Sequence, residues 1–142
     1  MLASKEPLRT FTASAATVPG GVSGITGTVL SSSSATVSWN PPTDTGNSTV
    51  TGYRLNVTNQ TTNAVTDYTA SGTSYTLTGL TLGTTYALKV YARNSIGESL
   101  IVSAASFPFA LPAPNAPASL TASNIRSTSL TLTWSPVSGF VD

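Results

Sequence analysis

The sequence predicts an all-β protein, an antiparallel β-sandwich of short strands. Three observations predict it. From Val22 onward apolar and polar residues alternate with period two, which puts one side of each strand on a core and the other in water. Turn clusters rich in Pro, Gly, Asn and Asp interrupt that alternation roughly every eight to twelve residues. No stretch carries the three-to-four spacing of an amphipathic helix.

The elements follow in order. Residues 1–21 show neither period, are rich in Ala, Ser and Thr, and end on the hinge signal Pro19-Gly20-Gly21. They are expected to form an N-terminal arm, flexible or ordered against a partner. Ala35-Thr36-Val37-Ser38-Trp39 alternates cleanly and stops at Asn40-Pro41-Pro42. Tyr53-Arg54-Leu55-Asn56-Val57 alternates likewise, and so do Tyr75-Thr76-Leu77 and the longer run Tyr86 to Ala92. Ala64 to Thr69 is a weaker strand, and Leu100-Ile101-Val102-Ser103-Ala104 is expected to be the last one of the sandwich. The expected core is Trp39, Tyr53, Leu55, Val57, Leu77, Leu80, Tyr86, Leu88 and Val90, with Trp134 in a second unit. Tyr91 is expected to point outward, and Tyr68 to lie on an edge strand.

Composition narrows the chemistry. Of 142 residues only 11 are charged, while Ser and Thr make up about a third. With no His and no Cys there is no Ser-His-Asp triad, no thiol nucleophile, no ordinary zinc site and no disulfide framework. A net charge of +1 offers no basic stripe for nucleic acid. No run of 18 apolar residues suggests a membrane span, and the start, Met1 to Pro7, lacks the unbroken apolar stretch of a secretory signal. Neither a calcium loop nor a glycine-rich phosphate loop is present, so no cofactor and no metal are expected.

The chain also repeats itself. Pro112 to Pro117 forms a proline-rich connector within a linker at 108–117. Beyond it, Asn124 to Pro136 repeats the segment that leads to Trp39-Asn40-Pro41. At an offset of 95 residues Trp39 falls on Trp134, Val37 on Leu132, Ala35 on Leu130, Leu30 on Ile125 and Ile25 on Leu120. A period this long belongs to tandem domains rather than to solenoid repeats.

These residues resemble the fibronectin type III domain. Trp39 is followed by a Pro-Pro loop, Gly52-Tyr53-Arg54-Leu55 opens a third strand, and Leu80-Thr81-Leu82-Gly83-Thr84-Thr85-Tyr86 is similar to the family's tyrosine corner. Val90 to Ser99 looks like the sixth strand and the loop after it. The resemblance implies an immunoglobulin-like antiparallel sandwich of seven strands over 22–107. It also implies that a second copy, at 118–142, holds only the first two strands. In the corner, the Tyr86 hydroxyl would bond back to the backbone upstream.

The resemblance implies spacing and protein-binding roles rather than catalysis. Five carboxylates are present: Glu6, Asp44, Asp67, Glu98 and Asp142. Asp44 and Glu98 fall on loops at one end of such a sandwich, but a glycosidase needs two facing carboxyls in a cleft, and solvated loop acids are the ordinary reading. No catalytic residue is expected. The recognition candidates are loop residues, Asp44 and Asn47 between the second and third strands and Arg93, Asn94, Ile96 and Glu98 after the sixth. Asn47, Asn56 and Asn59 open Asn-x-Ser/Thr triplets, which arise easily by chance in so hydroxyl-rich a chain.

The expected function is a non-catalytic structural or protein-interaction module in a virus or phage particle, as a capsid, tail or fibre surface or decoration protein. The alternative is a spacer or binding module of a secreted polysaccharide-active enzyme or a cell-surface adhesin. An adhesion-receptor ectodomain comes third. Expected partners are other protein subunits and a surface glycan, with no nucleic acid and no membrane insertion, on a virion or outside the cell. Two strands from Leu120 to Pro136 would leave Leu130, Leu132 and Trp134 on an unsupported hairpin. The expectation is therefore that the natural chain continues past Asp142 or that this segment packs against a partner chain.

Overall fold

The computed structural model describes residues 4, 5, 7–100 and 102–136; Glu6, Ile101 and Asp142 lie outside them. Among the described residues nine strands are formed: β1 (Ser23–Ser31), β2 (Ser34–Asn40), β3 (Gly52–Asn59), β4 (Val65–Ala70), β5 (Ser74–Thr78), β6 (Thr84–Arg93), β7 (Ser103–Phe109), β8 (Leu120–Ser123) and β9 (Thr131–Trp134). One sheet has the order β1-β2-β5, a second the order β4-β3-β6-β7, and β8-β9 stand as a two-stranded sheet. Every pairing is antiparallel.

Alternation explains which side of each strand is buried. In β2 the inward set is Ala35, Val37 and Trp39, in β3 Tyr53, Leu55 and Val57, and in β6 Tyr86, Leu88, Val90 and Ala92. Together with Leu77, Leu80, Phe107 and Phe109 they form one core. Trp39 meets Tyr53 edge-on at 5.3 Å between ring centroids, a favourable aromatic geometry. The two open sides of the sandwich are closed differently. On one side Tyr68 of β4 leans on Tyr75 of β5 at 5.1 Å. On the other, β1 approaches β7, and the Ser103 hydroxyl donates to the Val22 carbonyl. Gly27 lies against Phe107 there, and a Cβ at Gly27 would come within 3.0 Å of three carbons of that ring.

Two sequence expectations are corrected. The seventh strand is Ser103–Phe109, not Leu100 to Ala104: Leu100 is 85% exposed and Val102 is also exposed. Phe107 and Phe109 are the inward residues of the real strand, and Pro108 between them faces out. Trp134 is not core but 62% exposed, because among the described residues no second layer covers β8–β9.

The segment before β1 is partly tied down. Thr17 N donates to the Gly46 carbonyl at 2.8 Å and Gly20 N to the Asp44 carbonyl at 2.9 Å, with Pro19 buried beneath. Gly46 has φ +68 and lies under the Thr17 and Val18 carbonyls, so no side chain fits there. From Pro7 to Ala16 the arm is exposed, Leu8 and Phe11 included.

The β8–β9 hairpin repeats the register of β1–β2. Leu120 pairs with Trp134 and Ala122 with Leu132, and Gly27 pairs with Val37 at the matching positions 95 residues earlier.

Candidate interaction surfaces

Three surfaces are available on the sandwich: one loop end and the two outer sheet faces. At the loop end the segment 41–50 lies beside the segment 94–99 and the strap Thr17–Gly20. Asp44 Oδ1 accepts the Gly46 amide at 2.8 Å, a local turn bond. Asn47 has φ 54, and its amide donates to Ser14 Oγ at 3.0 Å. Asn94 is buried and spent inside the chain. Its Nδ2 donates to the carbonyls of Thr17 and Thr45, and its Oδ1 accepts the amides of Ile96 and Gly97. It staples three segments together and presents nothing outward. Ile96 is 54% exposed at the tip, and Ser95 bonds Ser48 across the loops at 2.9 Å.

Glu98 is likewise committed. Arg54 Nε donates to Glu98 Oε1 and Arg54 Nη2 to Oε2, both at 3.0 Å, and Arg93 Nε stands 3.3 Å from Oε1. The paired geometry of guanidinium and carboxylate makes this the strongest ionic contact on the molecule's described surface. The Arg54 guanidinium lies 4.1 Å above the Tyr91 ring, and its Nη1 reaches Asp67 at 3.4 Å. Its hydrogen bond to Glu98 holds the guanidinium still further on the protonated side of its ordinary range. Asp44 and Glu98 therefore do not face each other as free acids; each is bound to a neighbour of its own.

The two outer faces differ in chemistry. Arg54, Asp67, Lys89, Tyr91 and Arg93 all project from the four-stranded sheet. On the three-stranded sheet, register pairing sets Thr26 beside Ser38 and Ser74, and Thr28 beside Thr36 and Thr76. That face is a charge-free grid of hydroxyls, with Thr36 and Thr76 oxygens 3.4 Å apart. Open depressions lie at the loop end. One of about 520 Å³ is lined by Thr51, Tyr53, Ala70 and Arg93, and one of about 650 Å³ by Pro41, Pro42, Asn47 and Val50. Among the described residues no group of three or more acids gathers to hold a metal ion.

The tyrosine corner takes the form the sequence suggests, the Thr81 amide donating to the Tyr86 hydroxyl at 2.9 Å. What the alternation did not reveal was Phe107, Phe109 and the stapling role of Asn94. The Phe-x-Phe spacing was the available signal for the first two.

Comparison with known proteins agrees with this geometry. The model of the fibronectin type III domain matches residues 20–108. Domains A168-A170 from titin superpose with a TM-score of 0.58 at 25% identity, over 66% of this chain and 32% of that one. Titin kinase with its flanking domains gives 0.59 at 26% identity, over 66% of this chain and 18% of that one. The twitchin kinase region from C. elegans shares the fold, with a TM-score of 0.58 at 22% identity over 66% of this chain and 17% of that one. The chain spans a third or less of the length of these solved structures. No curated protein matches it in sequence.

Proposed function

From the premise that this chain belongs to the fibronectin type III domain family, we propose that it is a non-catalytic in-line module of a virus or phage particle. In that role it spaces and binds protein subunits as part of a capsid, tail or fibre surface. The observation that carries the spacer role is the path of the chain. It enters the sandwich at Val22, beside Ser103 at the start of β7, and leaves at Phe109, beside Gly83 and Thr84. The six steps of β7 from Ser103 to Phe109 separate those ends by roughly 20 Å, so the domain transmits its length along the polypeptide. Titin, about a third of whose A168-A170 fragment superposes on this chain, likewise carries several domains in one chain.

Three features support a particle surface. The hydroxyl face carries no charge, the exposed stretch Pro7 to Ala16 offers Leu8 and Phe11 to a neighbouring subunit, and the loop end presents Ile96 at its tip. The sandwich keeps Pro108 and Phe109 in β7, so the linker begins at 110; it and the hairpin in matching register belong in this reading to a second unit of the same family. The alternative, a spacer or binding module of a secreted polysaccharide-active enzyme or adhesin, predicts retention on an insoluble polysaccharide. The discriminating experiment is a pull-down of the full chain on cellulose and on chitin. Under the particle reading the chain stays in the supernatant. Saturable binding, lost on changing loop residues such as Asn47 and Ile96, would sink that reading in favour of the alternative.

A further inference from the structure

We propose that Tyr68 and Tyr75 form an oxidative cross-linking site, at which a one-electron oxidant of the peroxidase class joins the two phenol rings into a dityrosine that ties one sheet to the other. Tyr68 lies on β4 and Tyr75 on β5, the free edge strands of the four-stranded and the three-stranded sheet. Only residues 71–73 connect these strands, so the rings meet across the gap between the layers. Their centroids stand 5.1 Å apart, with the ring planes tilted by 41°. A carbon–carbon bond between two phenol rings holds the centroids only slightly closer than that. It also leaves the rings twisted, because the hydrogens beside the bond crowd each other when the rings are coplanar. Coupling therefore asks for a small closure and no rearrangement of the strands.

The other three tyrosines are placed differently. Tyr53 and Tyr86 are each 5% exposed; Tyr53 packs edge-on against Trp39, and the Tyr86 hydroxyl holds the Thr81 amide. Tyr91 lies beneath the Arg54 guanidinium on the outer face, 4.1 Å from it. Among the described residues Tyr68 and Tyr75 are the one pair of tyrosines in ring contact. Both are half-buried and packed against the core, so their outer edges remain open to an oxidant while packing keeps the rings together. Two groups held side by side react far faster than two that must meet by diffusion.

Each phenol gives up one electron and its hydroxyl proton to become a phenoxyl radical, whose unpaired spin is shared with the ring carbons next to the oxygen. One Cε of each ring forms the new bond. The hydrogen on each of those carbons then moves to the adjacent oxygen, restoring both phenols. Two electrons and two protons leave in all, and the peroxidase passes them to hydrogen peroxide, which becomes two waters. In a chain with no Cys this supplies the covalent tie between layers that a disulfide provides elsewhere.

The test treats the full chain, at micromolar concentration, with a haem peroxidase and hydrogen peroxide. The expected product is a monomer lighter by two hydrogens, with the blue fluorescence of dityrosine, formed at a rate independent of protein concentration. Trypsin releases residues 55–89 as one peptide carrying both tyrosines, and backbone fragments between 68 and 75 should be missing from its tandem mass spectrum. Tyr68→Phe and Tyr75→Phe keep the ring packing and should each cut this product at least tenfold, while Tyr91→Phe should leave it unchanged. The cross-linked chain should melt at least about 4 °C above the untreated one. A chain that gains no dityrosine overturns the proposal, as do dimers linked through Tyr91 in its place. So does a monomeric product that survives either phenylalanine variant, or a cross-linked chain that melts no higher.

Discussion

In β1–β2 the register partners Gly27 and Val37 sit under a second sheet, and Trp39 next to them is 4% exposed. In β8–β9 Ala122 and Leu132 pair in the same register, and the tryptophan next to them is 62% exposed. Local sequence is therefore enough to form the ladder and set its register in both places, but burial comes from the other layer. Each large side chain gains roughly 1.5–3 kcal/mol when that layer is present. The same residue types are thus buried in one hairpin and exposed in the other.

The largest test of that contrast is a pair of tryptophan variants. Trp39→Ala is expected to lower the unfolding free energy of the sandwich by about 3–5 kcal/mol, as large aromatic truncations in a core do. Trp134→Ala should move it by no more than about 0.5 kcal/mol. Urea denaturation followed by far-ultraviolet circular dichroism reads both, and comparable losses would break the distinction. The next test concerns the seat itself. Gly27→Ala is expected to cost about 1–3 kcal/mol through the clash with Phe107. Combined with Phe107→Ala it should cost less than the sum of the two, with a coupling of about 0.5–3 kcal/mol. Ala122→Val at the equivalent position in β8 should leave the sandwich melt unchanged.

How much of this was legible in the sequence depends on the distance over which each feature is decided. Alternation is a property of neighbouring residues, so the inward sets of β2, β3 and β6 could be read directly. The Leu80 to Tyr86 corner was legible because all its parts lie within seven positions. The seventh strand was misplaced because Leu100-Ile101-Val102 is the more apolar run, and because Pro108 disguises the Phe107/Phe109 alternation. A proline is tolerated there because β7 is an edge strand. Asn94 read as a loop residue free to bind, since its partner Thr17 lies 77 positions away. The clash between Gly27 and Phe107 was hidden for the same reason: nothing local to either residue announces the other.

A smaller effect separates the complete unit from the hairpin by its corner. β8–β9 has no counterpart of Tyr86, whose hydroxyl accepts the Thr81 amide. Tyr86→Phe should destabilise the sandwich by about 1 kcal/mol, because Thr81 is exposed and its freed amide can turn to water. Hydrogen exchange would show the loss spread over β6 and its neighbours, with β8–β9 amides unaffected.

The smallest effect is one of pH. All five tyrosines lie in the sandwich and none in β8–β9. Burial raises the Tyr53 phenol above its ordinary 10.0, since the phenolate would lose its hydration in the core. The folded chain thus keeps this proton to higher pH than the unfolded chain. The resulting stability is complete below the unfolded value and is lost as pH rises through and beyond it. Urea midpoints of the sandwich should therefore hold steady up to about pH 9 and fall above about pH 10. Tyr53→Phe should fall less steeply over the same range, whatever its starting midpoint. Amide protection in β8–β9, once corrected for intrinsic exchange, should show no such break. A wild-type curve parallel to that of Tyr53→Phe would mean that the phenol reaches water in the folded state, and that the seat of Trp39 beside it is wetter than its 4% exposure implies.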